Sequence, residues 1–319
     1  MKNKVMCGFL CAVMGTAMIA SAVSAEDVPK YGVVLKVLSE EFWTDMADGI
    51  EAKAEELGVE VEIMAANTAD DVEGQVSILE TMIESGQYDA FMVAPISDAN
   101  LVNTVADANA QGYLVANADE RINADALEAA GGSLVSFVST DNVIVGRTAG
   151  EYIASLLEEG DEVAIVEGKA GAKSGEDRRD GCKAAFEEAG LNIVDSQPAD
   201  WDKTRAYDLA SNLLNKHENL KAIYCCNDVM GMGVYEAVAD SGRDVIVVGT
   251  DGNTPAIDSI RDGGMAATVA QNPAGVGART LELLHQAFTN GDTPGSAAIV
   301  EESVDPILVT AENCDTYKE

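Results

Sequence analysis

Lys221–Pro273 reads KAIYCCNDVMGMGVYEAVADSGRDVIVVGTDGNTPAIDSIRDGGMAATVAQNP, and three times within it a short apolar run ends on one hydrogen-bonding residue beside a helix start, a glycine or a proline. Those residues are Asn227, Asp251 and Gln271. The runs KAIYCC, VIVVGT and AATVA have strand character, and the stretches between them have helical periodicity, so the order is β-α-β-α-β. That order predicts a parallel sheet. With right-handed crossovers the carboxyl ends of its strands share one edge, the edge at which such sheets bind ligands. Any one of the three is also explained as a turn or helix-cap residue. Three in succession on one rim point to a site.

Outward from this stretch the alternation continues in both halves of the chain. From YGVVLKVL the pattern runs strand, helix FWTDMADGIEAKAEELG, strand VEVEIMAAN, helix DVEGQVSILETMIESG, strand AFMVAP, helix ANLVNTVADANAQG and strand YLVANADE. After SFVSTDN it restarts with helix VIVGRTAGEYIASLLEEG, strand EVAIVEG, helix SGEDRRDGCKAAFEEAG, strand LNIVDSQPA and helix DKTRAYDLASNLLNKH. Two doubly wound α/β units in series predict two lobes with a cleft between their sheet edges. Further side chains fall at strand ends or helix starts on that cleft: Lys36, Phe42, Trp43, Asp119, Arg178 and Trp201. Aromatic planes among planar and charged hydrogen-bonding groups suit a sugar ring, whose C–H faces stack and whose hydroxyls take bidentate partners. Trp201 is expected to face the cleft rather than the core. For the aromatics the alternative is core packing, and for Arg178, among Asp177, Arg179 and Asp180, a surface ion network.

The chain of 319 residues is 47% hydrophobic, enough for two domains with large cores. Residues 1–25 read as a signal peptide, with Lys2 and Lys4, an apolar run from Val5 and the small residues AVSA before a cleavage after Ala25; a retained anchor is the alternative. Cleavage predicts an exported protein. Removing the two lysines takes the formal charge from −35 to −37, which repels nucleic acid and anionic lipid. The acids are spread along helices and read as a solvated surface. Of six cysteines, Cys182, Cys225, Cys226 and Cys314 remain, with no C-x-x-C pair, and are expected as buried thiols. No metal, cofactor or catalytic group is expected: His217 and His285 lie in amphipathic helical stretches, no G-x-S-x-G or H-E-x-x-H occurs, and GKAGAKS and GMG match phosphate and dinucleotide loops only in part.

Taken together, VVLKVLSEEFW, FVSTDNVIVG, EGKAGAKSGEDRRDG, DSQPADWD, KAIYCCND, VVGTDG and AATVAQNP resemble the periplasmic sugar-binding proteins of ABC transporters, in the ribose-binding group, over nearly all of the mature chain. The resemblance implies an α/β fold of the type I periplasmic binding protein: two doubly wound parallel-sheet lobes joined by a three-segment hinge. Crossings near Thr140–Asp141, Gln271–Asn272 and Asp305 would give lobes of 26–140 plus 272–304 and 141–271 plus 305–319. It implies stacking by Phe42, Trp43 and Trp201 and hydroxyl contacts from Lys36, Asp119, Arg178, Asn227, Asp251 and Gln271. Lys36, Asp119 and Gln271 are expected from one side of the cleft and Arg178, Asn227 and Asp251 from the other. One departure is Glu40, where the family carries a sugar-contacting asparagine. Its carboxylate either accepts from two sugar hydroxyls beside the Lys36 ammonium or turns to solvent as a first-turn acid. The implied function is that of a monomeric, non-enzymatic receptor that delivers allose or a related monosaccharide to an ABC permease and presents it also to a chemoreceptor; the alternative is a sensor without transport. Sugar-responsive repressors share the core but carry a basic headpiece where this chain has its leader.

Overall fold

The computed structural model describes residues 28–317; the leader and its cleavage after Ala25 lie outside the described residues. The first unit comprises β1 (Lys30–Leu35), α1 (Glu41–Leu57), β2 (Glu60–Ala65), α2 (Val72–Ser85), β3 (Ala90–Val93), α3 (Val102–Ala110), β4 (Leu114–Ala118), α4 (Ala124–Ala129) and β5 (Ser136–Thr140). The second comprises α5 (Asn142–Ala154), β6 (Glu162–Glu167), α6 (Lys173–Glu188), β7 (Asn192–Pro198), α7 (Lys203–Lys216), β8 (Leu220–Cys225), α8 (Asp228–Ser241), β9 (Ile246–Asp251), α9 (Thr254–Arg261) and β10 (Ala267–Ala270). The chain ends with α10 (Pro273–Asn290), β11 (Val300–Val304) and β12 (Ile307–Thr310).

Two six-stranded sheets result, ordered β11-β5-β4-β3-β1-β2 and β12-β10-β9-β8-β6-β7. Successive residues of a strand face opposite sides, and both sides of each sheet are covered by helices, so the central strands are apolar throughout. In β1, Val33 and Leu35 join Met46 and Ile50 of α1 and Leu281 and Leu284 of α10, while Val34 packs on the other face with Leu79, Met82 and Val105. Edge strands are covered less. In β2 the sequence EVEIMA alternates exposed and half-buried residues. The second lobe has one continuous core that includes Cys182, Cys225 and Cys226, and all four cysteines of the described residues are buried free thiols.

The chain passes between the sheets three times, after β5, after β10 and between β11 and β12. Each time it leaves the carboxyl edge of one sheet. The first two passages enter the other lobe as a helix, which runs back down the sheet. The third enters directly as a strand, so β12 is antiparallel to β10 while the other pairings are parallel. That single antiparallel edge follows from the carboxyl edges of the two sheets facing each other.

Candidate functional site

The facing edges enclose a cleft that holds about 570 Å³ of space outside the atoms, open solvent included. It is lined by Lys36, Glu40, Phe42, Trp43, Asp119, Arg178, Trp201, Asn227, Asp251 and Gln271, joined by Ala69, Ile96, Lys169 and Ser174. The first lobe supplies Lys36 just past β1, Glu40, Phe42 and Trp43 at the start of α1, and Asp119 just past β4. The second supplies Arg178 from α6, Trp201 from the β7–α7 connection, and Asn227, Asp251 and Gln271 at the ends of β8, β9 and β10. Gln271 therefore comes from the side opposite Lys36 and Asp119, against the grouping expected for it, although the expected lobe of 141–271 already included it. The chain crosses after it, so it follows a strand of the second sheet, its backbone N–H donating to Asp251 O at 3.1 Å.

On the second-lobe wall each polar group is part spent and part free. Asn227 caps α8, its Oδ1 accepting from Met230 N at 2.9 Å, which leaves the amide nitrogen for the cleft. The cap and the cleft roles coexist in one side chain. Arg178, 5% exposed, donates from Nε to Asn142 Oδ1 at 2.8 Å and from Nη1 to Cys226 O at 2.7 Å and Asp251 Oδ1 at 3.3 Å. Nη2 is the nitrogen left for a ligand. Gln271 donates from Nε2 to Asp251 Oδ1 at 2.7 Å, while its Oε1 is buried without a protein partner. Asp251 adopts a φ of 121°, outside the ordinary range for a residue with a Cβ. Behind it Asp228 holds the turn, accepting from Gly252 N and Asn253 N at 2.9 Å each and from Thr268 Oγ1 at 2.8 Å. Burial pushes the Asp251 carboxyl up to about 6, against the downward pull of Arg178 and the Gln271 hydrogen bond. Burial, and then the charge of Asp251, push Asp228 far above the carboxylate range.

The Trp201 indole lies against two glycines: a Cβ on Gly168 would meet its ring at 2.1 Å, and one on Gly175 at 2.9 Å. The ring is half-buried and packs on the second-lobe core as well as lining the cleft, so the expectation of a purely cleft-facing side chain is corrected. Its φ is 64°, that of Asp200 before it 55°, and the Arg178 guanidinium sits 5.9 Å from the ring centre. Opposite, Phe42 and Trp43 form an edge-to-face pair with ring centres 4.9 Å apart and also belong to the first-lobe core. Lys36 Nζ lies 3.4 Å from Asp119 Oδ2 and 5.2 Å from the Trp43 ring centre. Asp119 is the third cleft residue at positive φ, 60°.

Glu40 is half-buried, lines the cleft and stands at the N-cap of α1 without capping it by its side chain. Burial, opposed by Lys36, raises its carboxyl above the usual range. Three cations, Lys36, Lys169 and Arg178, thus face three acids, Glu40, Asp119 and Asp251. A cleft of balanced charge with aromatic walls fits a neutral polyhydroxy ligand better than an ion. Neither histidine lines it, and among the described residues no cluster of three or more His, Cys, Asp or Glu could hold a metal ion. Lys169 and Ser174 went unassigned although both lie in GKAGAKS; their signal was that loop, which lines the cleft without the spacing of a phosphate loop.

The sequence pattern of the periplasmic binding protein domain matches residues 31–292. The chain belongs to this family. It is 45% identical over 313 residues to the D-allose-binding periplasmic protein of Escherichia coli strain K12, covering 97% of this chain and 99% of that one. It is 34% identical over 251 residues to the ribose import binding protein RbsB of Bacillus subtilis strain 168, covering 79% of each. Among solved structures, an ABC transporter periplasmic solute-binding protein of Actinobacillus succinogenes 130z with bound D-allose superposes with a TM-score of 0.83 at 30% identity, over 91% of this chain and all of that one. These relatives are binding proteins, and the two-lobed periplasmic binding protein architecture is the one described above. No helix among the described residues is long and apolar enough to cross a membrane.

Proposed function

We propose that this periplasmic binding protein captures a neutral monosaccharide, allose or a close relative, in the interlobe cleft and delivers it to the membrane subunits of an ABC importer. It acts as a monomer exported to the periplasm after loss of residues 1–25, and a chemoreceptor would read the same closed form. The lobes, 26–140 plus 272–304 and 141–271 plus 305–319, move about the three crossings. The observation that carries the reading is the convergence of five side chains from each lobe on one cleft, with unspent donors and acceptors between aromatic walls. Arg178, Asn227, Asp251 and Gln271 take one edge of the ring, Lys36, Glu40 and Asp119 the other, and Phe42, Trp43 and Trp201 its faces. The names of the relatives supply the sugar class. Titration calorimetry over allose, ribose, psicose, galactose, glucose and myo-inositol, with native mass spectrometry of the purified protein, tests it. Tight one-to-one binding of allose or one near epimer is expected. A protein that binds none of the panel and carries no sugar out of the cell overturns it.

A further inference from the structure

Glu120 follows Asp119 but does not line the cleft, and its side chain is 0% exposed. Both carboxylate oxygens are spent on the other lobe. Oε1 accepts from the backbone N–H of Lys173 at 2.7 Å and Oε2 from the Ser174 hydroxyl at 2.7 Å. On its own side, Asn117 Nδ2 holds the Glu120 carbonyl at 2.8 Å and Lys36 Nζ lies 3.7 Å from Oε2. Lys173 opens α6, and the residue at that helix's N-cap is Ala172, which has no side chain to cap with. Other helices of the second lobe, α5, α7 and α8, are capped from within, by Asp141, Asp202 and Asn227. The missing cap of α6 thus comes from the opposite lobe.

The same arrangement recurs at α9. Its N-cap Asn253 makes no side-chain cap, and Glu41 of the first lobe accepts from Thr254 N at 3.0 Å and Thr254 Oγ1 at 2.6 Å. Carboxylates at helix N-termini satisfy orphan N–H groups and meet the positive end of the helix dipole. Here those interactions exist only while the lobes touch. Opening uncaps two helices, and α6 is the helix that carries Arg178.

We propose that Glu120, seconded by Glu41, is a cross-lobe helix cap that sets the lifetime of the closed cleft. It acts as a positioning residue, without touching the ligand. The proposal rests on the reading of the cleft as a sugar site that closes. Breaking the cap should speed opening, and hence sugar release, while leaving capture and sugar preference alone, because the groups that meet the ligand are unchanged.

Two variants weaken the cap from opposite ends. Glu120→Gln removes the charge and one acceptor. Lys173→Pro removes the donating N–H at the first helical position, where proline fits, after an Ala172 whose φ of −87° and ψ of 108° suit a following proline. Lys173→Ala, which keeps the N–H, is the control for the lost ammonium. Stopped-flow release of allose should quicken roughly tenfold in Glu120→Gln and Lys173→Pro, the size expected for a buried charge-assisted hydrogen bond. Association should change by less than about twofold, Lys173→Ala should match wild type, and the double variant should release little faster than either single one. A second arm needs no sugar. Dyes on Glu80→Cys of α2 and Asp208→Cys of α7, both exposed, report lobe separation by energy transfer, and Glu120→Gln should move the population toward the wider state. Unchanged release together with unchanged lobe separation overturns the proposal. So does an altered order of sugar preference in Glu120→Gln, which would put Glu120 in recognition through Lys36. If wild type binds no sugar but Glu120→Gln still widens the lobes, the cap stands and the sugar reading falls.

Discussion

Asp251 is buried, ionisable near neutrality and held at an unusual φ, so its protonation bears on folding and binding with opposite signs. Its carboxyl is raised to about 6 in the fold, so the folded state binds the proton more tightly than the unfolded chain. This group's contribution to stability therefore grows as pH falls from about 6 toward the unfolded value near ~4 and is level above. On the proposed reading a sugar hydroxyl would donate to the ionised form, so affinity should be level at alkaline pH and fall, by up to about tenfold per unit, below the folded value. Calorimetry between about pH 5 and pH 8 checks this, and Asp251→Asn should flatten the profile. Glu40 invites a second measurement. Because its carboxylate faces the cleft without capping α1, Glu40→Asn should reorder the sugar panel, moving at least one affinity by more than about 0.5 kcal/mol. The same change should raise ligand-free stability by about 1 kcal/mol, since asparagine is a strong N-cap. At Trp201 the ring touches both cleft and core, so Trp201→Ala should weaken binding by ~1–3 kcal/mol and also lower the ligand-free melting temperature.

At the level of elements, α5 and α6 pack backbone to backbone. A Cβ on Gly146 would fall 1.8 Å from the carbonyl oxygen of Arg178, and one on Gly181 2.1 Å from that of Val143. Gly146→Ala must therefore push α6 away and carry Arg178 with it. Overpacking of this kind costs about 1–3 kcal/mol of stability, and affinity should fall alongside, whereas Gly160→Ala, at a surface turn, should cost stability without affinity. The buried strands and the long helices were legible in the sequence because apolar runs and helical periods are local. What was not legible depends on distant partners. The α5 pattern continues through SLLEEG, yet the helix ends at Ala154, and Gly160 N instead donates to Gly190 O at 2.9 Å in a turn set by the neighbouring strand. Helix α4 is six residues long, and β11 carries Glu301 and Glu302 at a sheet edge, so neither has a pattern strong enough to read. Asn227, Asp251 and Gln271 were readable because strand ends in a parallel sheet share an edge, while Glu40 came only with the family resemblance; Glu120 was not readable, since its role is visible only against α6.

For the whole molecule, the side from which Gln271 approaches shows what a local pattern leaves open. Strand character and a terminal polar residue predict a sheet edge, but which sheet depends on whether the chain crosses before or after Gln271, and it crosses after. The result is a cleft across which Lys36, Glu40 and Asp119 face Arg178, Asn227, Asp251 and Gln271. Only contact between lobes can satisfy a ligand from both walls, and that contact includes polar links: Glu120 on α6, Glu41 on α9, and an ion pair of Lys169 with Asp70. Polar interlobe contacts are hydrated at little cost when they part, so the open state should lie within a few kcal/mol of the closed one, and a ligand binding both walls shifts the population. Small-angle scattering should accordingly show a smaller radius of gyration at saturating sugar than without it. Trp201→Ala should reach the same compact profile at higher sugar concentration, because it weakens one wall without altering the crossings. Identical profiles with and without saturating sugar, in a protein that calorimetry shows to be bound, would mean that the lobes do not move about the three crossings and that the sugar enters a cleft already shut.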